Sequence, residues 1–473
     1  MSQIHPRSLP EDLQAYKKQI KRLFGGIFAP GRKIFIARVP GRLDVMGGIA
    51  DYSGSTVLEL PLQPATIVGV QQRRDRRILV RSLSEANKFS EIFEYHLDDF
   101  YQDGKLKPFE TLRNEFAAQP QHRWAAYVVG AFAVLLSEGL VDEFENGANI
   151  GIKSNIPFGV GISSSAALEV ATMFALQHAF SIKLEKFQIA RASQIVENQI
   201  VGAPCGIMDQ VTCVMGEKGK LLALRCQPHE LLKMIPVPKG YQFVGINSGV
   251  KHTVNGTRYV NARVSTFMGR KIIFSQVPAS DNDLPYGGYL CNVTPEEWDS
   301  TFRKIVPSRL RGQEFIEKYH SHDDPATQIE PEKYYKPKSR TEHAIMENSR
   351  VHEFIELLES ANEKADEMKI IHAGELMYQS HESYSKNCGL GAKETDLLVD
   401  LVKVRGPENG FYGAKITGGG SGGTVAILAA QGTNDIIQNI AAQYYDETKI
   451  EPDIFFGSSP GAFQLGVVQT IFE

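Results

Sequence analysis

Residues 33–38 and 56–70 are dominated by β-branched and apolar side chains. This pattern predicts two strands, with Gly47 and Gly54 marking a short turn between them. Apolar positions recurring every three to four residues predict helices over 124–138, 168–180 and 186–201, and the apolar run at 220–225 predicts a further strand. Prolines and charges interrupt the pattern between Pro228 and Gly240, which marks a domain boundary. Beyond it, 243–246 reads as a buried strand, 257–273 as a helix, and 349–366 as a helix with charge on one face. Residues 274–340, aromatic and rich in proline, show no period and read as irregular. Order returns where the glycine-bearing stretch 413–423 leads into the apolar 424–430. Strand-like and helix-like segments alternate without an internal repeat.

A chain of 473 residues with 42% hydrophobic content implies two or three domains that bury cores of their own. Its five cysteines have neither close pairing nor metal-type spacing, which points to free thiols in a reducing compartment and suggests no zinc site. A net charge of −4 argues against a nucleic-acid surface, and the basic clusters at 71–77 and 333–340 are short, mixed loop faces. Residues 1–22 are polar and unlike a signal peptide, and the longest apolar stretch, 128–136, is too short to span a bilayer, so a soluble cytoplasmic protein is expected. The sequons at Asn255 and Asn292 are set aside on the same grounds.

Four constellations carry chemistry. In the first, Pro157-Phe-Gly159-Val-Gly161-Ile-Ser163-Ser164-Ser165-Ala166, glycines and hydroxyls run straight into a helix. Its first-turn N–H groups and the serines beside them suit an anion such as phosphate. The second runs from Glu197 through Gly202 and Gly206 to Asp209-Gln210 and places two carboxylates around a glycine turn. Glu197 with a loop serine is a sufficient hard-oxygen set for Mg²⁺, and Asp209 would accept a substrate proton or position its hydroxyl for in-line attack. The third, Arg42-Leu-Asp44-Val-Met-Gly-Gly48-Ile49-Ala-Asp51, follows a strand broken at Pro40-Gly41, and its guanidinium and carboxylates suit vicinal hydroxyls. In the fourth, Gly418–Gly423, five glycines in six residues leave no side chain to bury, which favours close approach to a ligand or another loop. Taken singly, each of the first three has a plainer explanation: a capping turn, a pair of solvated acids, a surface ion pair.

Together, in this order, the four resemble the sugar-kinase branch of the family named for galactokinase, homoserine kinase, mevalonate kinase and phosphomevalonate kinase. Between them Arg123-Trp124-Ala-Ala-Tyr127, residues 246–252, 347–350 and 376–381 are similar to galactokinase segments, so the resemblance runs from about residue 35 onward. It implies two α+β domains with the active site in the cleft between them. These would be an N-terminal kinase domain over 34–235 and a C-terminal one over 236–473, with an insert at about 274–340 and a variable extension at 1–33. The implied chemistry is phosphoryl transfer from ATP, with Mg²⁺, to C1 of a small-molecule sugar. By the resemblance Asp209 is the catalytic aspartate, Arg42 stands beside the anomeric hydroxyl, and Ser164, Ser165 and Glu197 hold magnesium. Asp51, with Asp44, Gly48, Ile49 and Gly206 on the same loops, serves the ring hydroxyls, and Tyr259 lines the sugar pocket. Trp124 lies against adenine, while Pro157, Gly159, Gly161, Ser163 and Ala166, with Gly419 and Gly420, attend the nucleotide. Monomer and dimer are both compatible with the sequence.

One departure bears on the substrate. Galactokinases carry Gly-Glu-His before Thr-Asp-Tyr, where this chain has Gly47-Gly48-Ile49 before Ala50-Asp51-Tyr52. In the family the Glu-His pair faces the C6 hydroxymethyl of galactose; here a C6 hydroxyl would lack its partner, at a cost of about 1–3 kcal/mol. L-Arabinose in its pyranose form is galactose without C6, and Asp51 and Arg42 would grip it unchanged. The stretch 41–54 and the insert around Tyr289-Leu-Cys-Asn-Val-Thr294 resemble the kinase part of plant-type L-arabinokinases. Because Gly48 also makes room, a galactokinase or a promiscuous kinase with a rebuilt C6 pocket stays open, as does a non-catalytic sugar- and ATP-binding regulator.

Overall fold

Strands β1 (Lys33–Met46) and β2 (Thr56–Gln72) pair antiparallel, and both are buried along nearly their whole length. In the computed structural model, which describes residues 9–83, 92–250, 257–278, 284–364 and 366–473, this pair is the spine of the larger sheet. With it go β3 (Arg77–Leu83), β4 (Phe93–His96), β5 (Ala148–Ser154), β6 (Lys220–Arg225) and β7 (Glu230–Pro236). A second sheet holds β8 (Tyr241–Asn247), β9 (Phe411–Ile416), β10 (Thr424–Ala430) and β11 (Ile454–Phe455), in the order β9-β10-β8-β11. The last strand, β12 (Val467–Ile471), returns to the first sheet beside β1, so that the order there is β12-β1-β2-β5-β3-β4. β2 is long enough to serve two neighbours, β6 along its first residues and β5 along its last.

The helices that frame the site are α1 (Glu11–Phe24), α2 (Ala126–Ser137), α3 (Ser164–Ala179), α4 (Lys186–Ile195), α5 (Met208–Met215), α6 (Thr257–Phe274), α7 (Pro337–Lys364) and α8 (Glu367–Ser383). α2 and α3 are apolar on nearly every face because they are enclosed, and α3 lies against β1 and β2. The main core joins both sheets: Val45, Leu58 and Val70 share a cluster with Phe243, Phe354 and Leu428.

Several sequence expectations are corrected. The strand does not break at Pro40-Gly41. β1 continues through a bulge there, because Gly41 has no Cβ to meet the Ile162 carbonyl, which an added Cβ would approach to 2.6 Å. Residues 230–236, within the interrupted boundary stretch, form β7. The helix expected over 349–366 begins at Pro337, a residue suited to a first helical turn. The 413–423 stretch is strand as far as Ile416. Residues 274–340 are irregular only in part where described: 320–333 carry neither helix nor strand, but the rest is built from short elements. Short helices there, among them Gly312–Tyr319, place Trp298, Phe302 and Phe315, with Tyr335, in a core shared with Val264 and Met268 of α6 and Ile345 of α7, and elements so short leave no readable period. Within the N-terminal extension, α1 docks Tyr16 and Phe24 against Ile34, Ile36 and Ile67, and the Tyr16 hydroxyl donates to the Gly151 carbonyl at 2.9 Å. Lys251, His252 and Asn255, which fall in segments considered above, lie outside the described residues.

Candidate active site

The loop before α3 is shaped by three positive φ angles, 76° at Gly159, 79° at Gly161 and 58° at Ser163. Glycine adopts that region freely, whereas a serine there carries about 1–3 kcal/mol of strain, which the fold tolerates where a side chain must be aimed. Ser163, at the helix start, makes no cap to the helix; its hydroxyl donates instead to Asp209 Oδ2 at 2.6 Å. The glycine run meets this loop from the second sheet: the Thr424 hydroxyl donates to the Val160 carbonyl at 2.8 Å, and a Cβ on Gly423 would sit 3.0 Å from the same oxygen. Close approach of loop to loop therefore accounts for part of the glycine content.

Asp209 sits in the first turn of α5, which points its carboxylate toward β1. Arg42 reaches it from the bulge, with Nε and Nη2 each 2.8 Å from Oδ1, and donates through Nη1 to the Gly161 carbonyl at 2.7 Å. Glu59 of β2, fully buried, lies 3.1 Å from Arg42 Nε without hydrogen-bond alignment. Burial opposes the charge of Arg42, but Asp209, Glu59 and Asp44 outweigh it and raise the guanidinium above its ordinary value. Burial, then the nearby Asp44, pushes the Glu59 carboxyl well up.

Helix α4 passes into a π turn, Val196–Val201, that carries Glu197. Such turns recur at functional sites. Glu197 Oε2 accepts from Gln210 Nε2 at 2.7 Å, and the same amide lies 3.2 Å from Glu169 Oε2. Burial and then Asp209 push the Glu197 carboxyl up to about 7, while burial and Glu197 raise Glu169 well above the carboxylate range. Glu169 Oε1 is buried without a hydrogen-bond partner among the described residues. Carboxylates so crowded, beside the Ser164 and Ser165 hydroxyls, suit a hard divalent cation, whose charge would relieve their repulsion. Among the described residues no group of three His, Cys, Asp or Glu side chains forms a ready metal cage.

Residues 48–53 form a 3₁₀ turn. Asp51 is pressed onto Gly206, where an added Cβ would stand 1.6 Å from Asp51 Oδ2. Burial first, against the opposing charge of Arg263, pushes the Asp51 carboxyl up to about 7. Gly48 does not widen the site as its missing side chain suggests. An added Cβ would lie 2.1 Å from Asp44 Oδ2 and 2.9 Å from the Tyr384 hydroxyl, so that space is already filled. Asp44 is fully buried and engaged on both oxygens: Oδ1 accepts from Gly48 N, and Oδ2 from Gly418 N and Lys415 Nζ. The Tyr384 hydroxyl accepts from Ile49 N at 2.9 Å and donates to the Gly418 carbonyl at 3.1 Å. Tyr289 packs on Gly54, 2.5 Å from where its Cβ would be, so the two stretches singled out for their common resemblance touch.

A cavity of about 540 Å³ gathers these groups. Arg42, Gly48, Ile49, Asp51, Gly206, Asp209 and Tyr259 line it, as do Trp124, Gly159, Gly161, Ser163, Ser164, Ser165, Glu197 and Gly419. Four expected residues are not on its wall. Asp44 stands behind Gly48; Ala166 is fully buried in α3; Gly420 packs on Leu390, 2.8 Å from its would-be Cβ; Pro157 precedes the lining stretch. Trp124 is half-buried in a 3₁₀ turn ahead of α2, facing the cavity with Tyr127 and with Phe158, which is 55% exposed. Sequence reasoning missed Glu59, Lys415, Tyr384, Gln210 and Arg263. For the first two a signal existed, a single charge inside an otherwise apolar strand.

Comparison with known proteins adds the family context. The model for the N-terminal domain of GHMP kinases matches residues 126–217, and that for the C-terminal domain matches 355–447. The chain is 39% identical to an L-arabinokinase of Arabidopsis thaliana over 95% of its own length and 48% of that protein's, so it spans about half of that relative. Among solved structures it resembles Lactococcus lactis galactokinase complexed with galactose, with a TM-score of 0.73 and 21% identity over 97% of this chain and 99% of that one. It also resembles Methanococcus jannaschii mevalonate kinase, with a TM-score of 0.53 and 17% identity over 90% and 98%. These two likenesses concern the fold.

Proposed function

We propose that the chain, which both GHMP kinase domain models match, is a sugar-1-kinase of that family, transferring the γ-phosphoryl group of ATP to the anomeric hydroxyl of L-arabinose. The observation that carries the sugar reading is the wall at Gly48-Ile49. The cavity meets a hydrocarbon side chain there, and the carboxylate behind Gly48 is spent on Lys415 and Gly418, so among the described residues the Gly48-Ile49 wall offers no side-chain acceptor to a C6 hydroxyl. A pentose avoids that loss. The name of the Arabidopsis relative agrees with this reading.

In the proposed reaction the anomeric oxygen forms a bond to the γ-phosphorus as the bond to the ADP oxygen breaks, and the hydroxyl proton passes to the Asp209 carboxylate. Asp209 is held for this by Arg42 and Ser163, one on each oxygen. Arg42 also neutralises charge near the transferring group, and the N–H groups opening α3 receive phosphate oxygens. Magnesium, arriving with the nucleotide, would be held by Glu197 with Ser164 and Ser165 and would neutralise phosphate charge. Trp124 offers a face for the adenine. No helix among the described residues is long and apolar enough to cross a membrane, and the five unpaired cysteines suit a reducing compartment such as the cytoplasm.

The deciding experiment is kcat/KM for MgATP-dependent phosphorylation of L-arabinose and D-galactose side by side, with the phosphate position checked. A clear excess for L-arabinose with phosphate on C1 is expected. Equal or higher values for galactose would overturn the pentose assignment, and turnover of neither would favour a non-catalytic binding role.

A further inference from the structure

A second cavity, of about 400 Å³, adjoins the first and shares Asp51, Cys205 and Gly206 with it. Arg263, one turn after Tyr259 on α6, also lines it and is only 7% exposed. Its guanidinium is fixed in direction. Nε and Nη2 donate to Asp324 Oδ2 and Oδ1 at 2.8 and 2.9 Å, and Asp324 is held in turn by the Thr327 hydroxyl at 2.6 Å. The fork lies 5.1 Å over the ring of Tyr52, the residue after Asp51. Nη1 meets no acceptor at hydrogen-bond geometry among the described residues, although the Tyr259 phenol is near enough to interact with the guanidinium. Arg263 and Asp51 thus face one cavity, a donor and an acceptor, and form no direct ion pair among the described residues. A buried donor left unpaired is destabilising, and a ligand oxygen would recover that loss.

We propose that Arg263 is a sugar-contacting, specificity-determining residue: Nη1 donates to a ring hydroxyl that in turn donates to Asp51, and Asp324, from the 274–340 insert, holds the fork for that contact. A hydroxyl is favoured over an anion because Asp51 shares the cavity and would repel phosphate or carboxylate. The inference rests on the sugar reading of the first cavity and gives the insert a task, since Asp324 lies in it and Tyr289, also in it, lines the same space.

The test compares wild type with two variants on L-arabinose and on its monodeoxy derivatives. Arg263→Lys keeps the charge and loses the fork, while Arg263→Met with Asp324→Asn removes the pair without leaving a full charge buried alone. Both are expected to raise the sugar KM about tenfold or more with the KM for ATP unchanged. The deoxy sugar lacking the contacted hydroxyl, poor with wild type, should be no worse with the variants. An unchanged sugar KM, a rise in both KM values together, or deoxy penalties that multiply undiminished in the variants would overturn the proposal. A wild type inert toward every sugar would overturn the functional reading along with it.

Discussion

The Asp44 carboxylate occupies the space that a side chain at Gly48 would need: Oδ2 stands 2.1 Å from the position of a Cβ there. The same oxygen accepts from Gly418 N at 3.0 Å and Lys415 Nζ at 3.1 Å, so the sugar loop, the glycine run and β9 close on one buried charge. Asp44 and Lys415 are both fully buried, and losing one partner of such a pair costs about 3–5 kcal/mol.

Gly48→Ala should therefore behave as an overpacked core substitution. Asp44 must yield to the methyl group, which is expected to lower stability by about 1–3 kcal/mol and to raise the sugar KM as Ile49 shifts with its turn. Denaturant midpoints and kinetics on the purified variant check this; an unchanged midpoint would mean that Asp44 moves freely. Restoring a galactokinase-like pair by Gly48→Glu with Ile49→His meets the same obstruction, so those two changes alone should not yield an efficient galactose site.

Asp209→Asn keeps the shape of the residue but removes the charge that Arg42 and Ser163 address. Turnover should fall by about 10²–10⁴-fold, the range of a lost general base, while sugar and nucleotide still bind. Calorimetric titration with each ligand beside a turnover assay separates the two effects. Normal turnover would remove Asp209 from the mechanism.

Reading the sequence found the cavity wall because its members cluster in short, unusual strings: serines after glycines, a carboxylate after a glycine turn, an arginine at a strand irregularity. It did not find what holds the wall. Tyr384 reads as one more core aromatic near the end of a helix, yet its hydroxyl joins Ile49 to Gly418. Arg263 reads as a solvated helix charge, and only the fold brings Asp324 to it from 61 residues away. Asp44 was legible as a polar residue of the sugar loop but not as one turned away from the cavity, because local sequence does not say which of two neighbouring carboxylates faces the ligand. The insert resisted for a simpler reason: elements of three to eight residues around Trp298 carry no period to detect.

The N-terminal helix gives a stability prediction independent of the site. Tyr16→Phe removes the hydrogen bond to the Gly151 carbonyl while leaving the ring among Phe24, Phe28 and Ile34, so a loss of about 0.5–1.5 kcal/mol is expected with kcat and KM unchanged. Unfolding curves and steady-state kinetics on the same preparation decide it; a change in sugar KM would show that α1 communicates with the site.

Asp51 carries the pH prediction. Burial favours its neutral form, and the carboxyl titrates near 7 in place of its ordinary 3.8. The ionised carboxylate is the stronger acceptor for sugar hydroxyls, so sugar affinity, measured without nucleotide or magnesium, should weaken as pH falls through about 7. The slope should approach tenfold per pH unit below that. Stability of the free protein runs the other way. The folded state holds this proton more tightly than the unfolded chain, so between 3.8 and about 7 the Asp51 contribution to stability is lost as pH rises. Asp51→Asn removes this titration, so it should flatten the trend in sugar affinity and take the Asp51 share out of the stability trend, to which Glu197, Glu169 and Glu59 still contribute, at the expense of weaker sugar binding throughout. If the variant keeps the wild-type pH slope in sugar affinity, another group is titrating, and Asp51 is not the acceptor that the cavity geometry makes it.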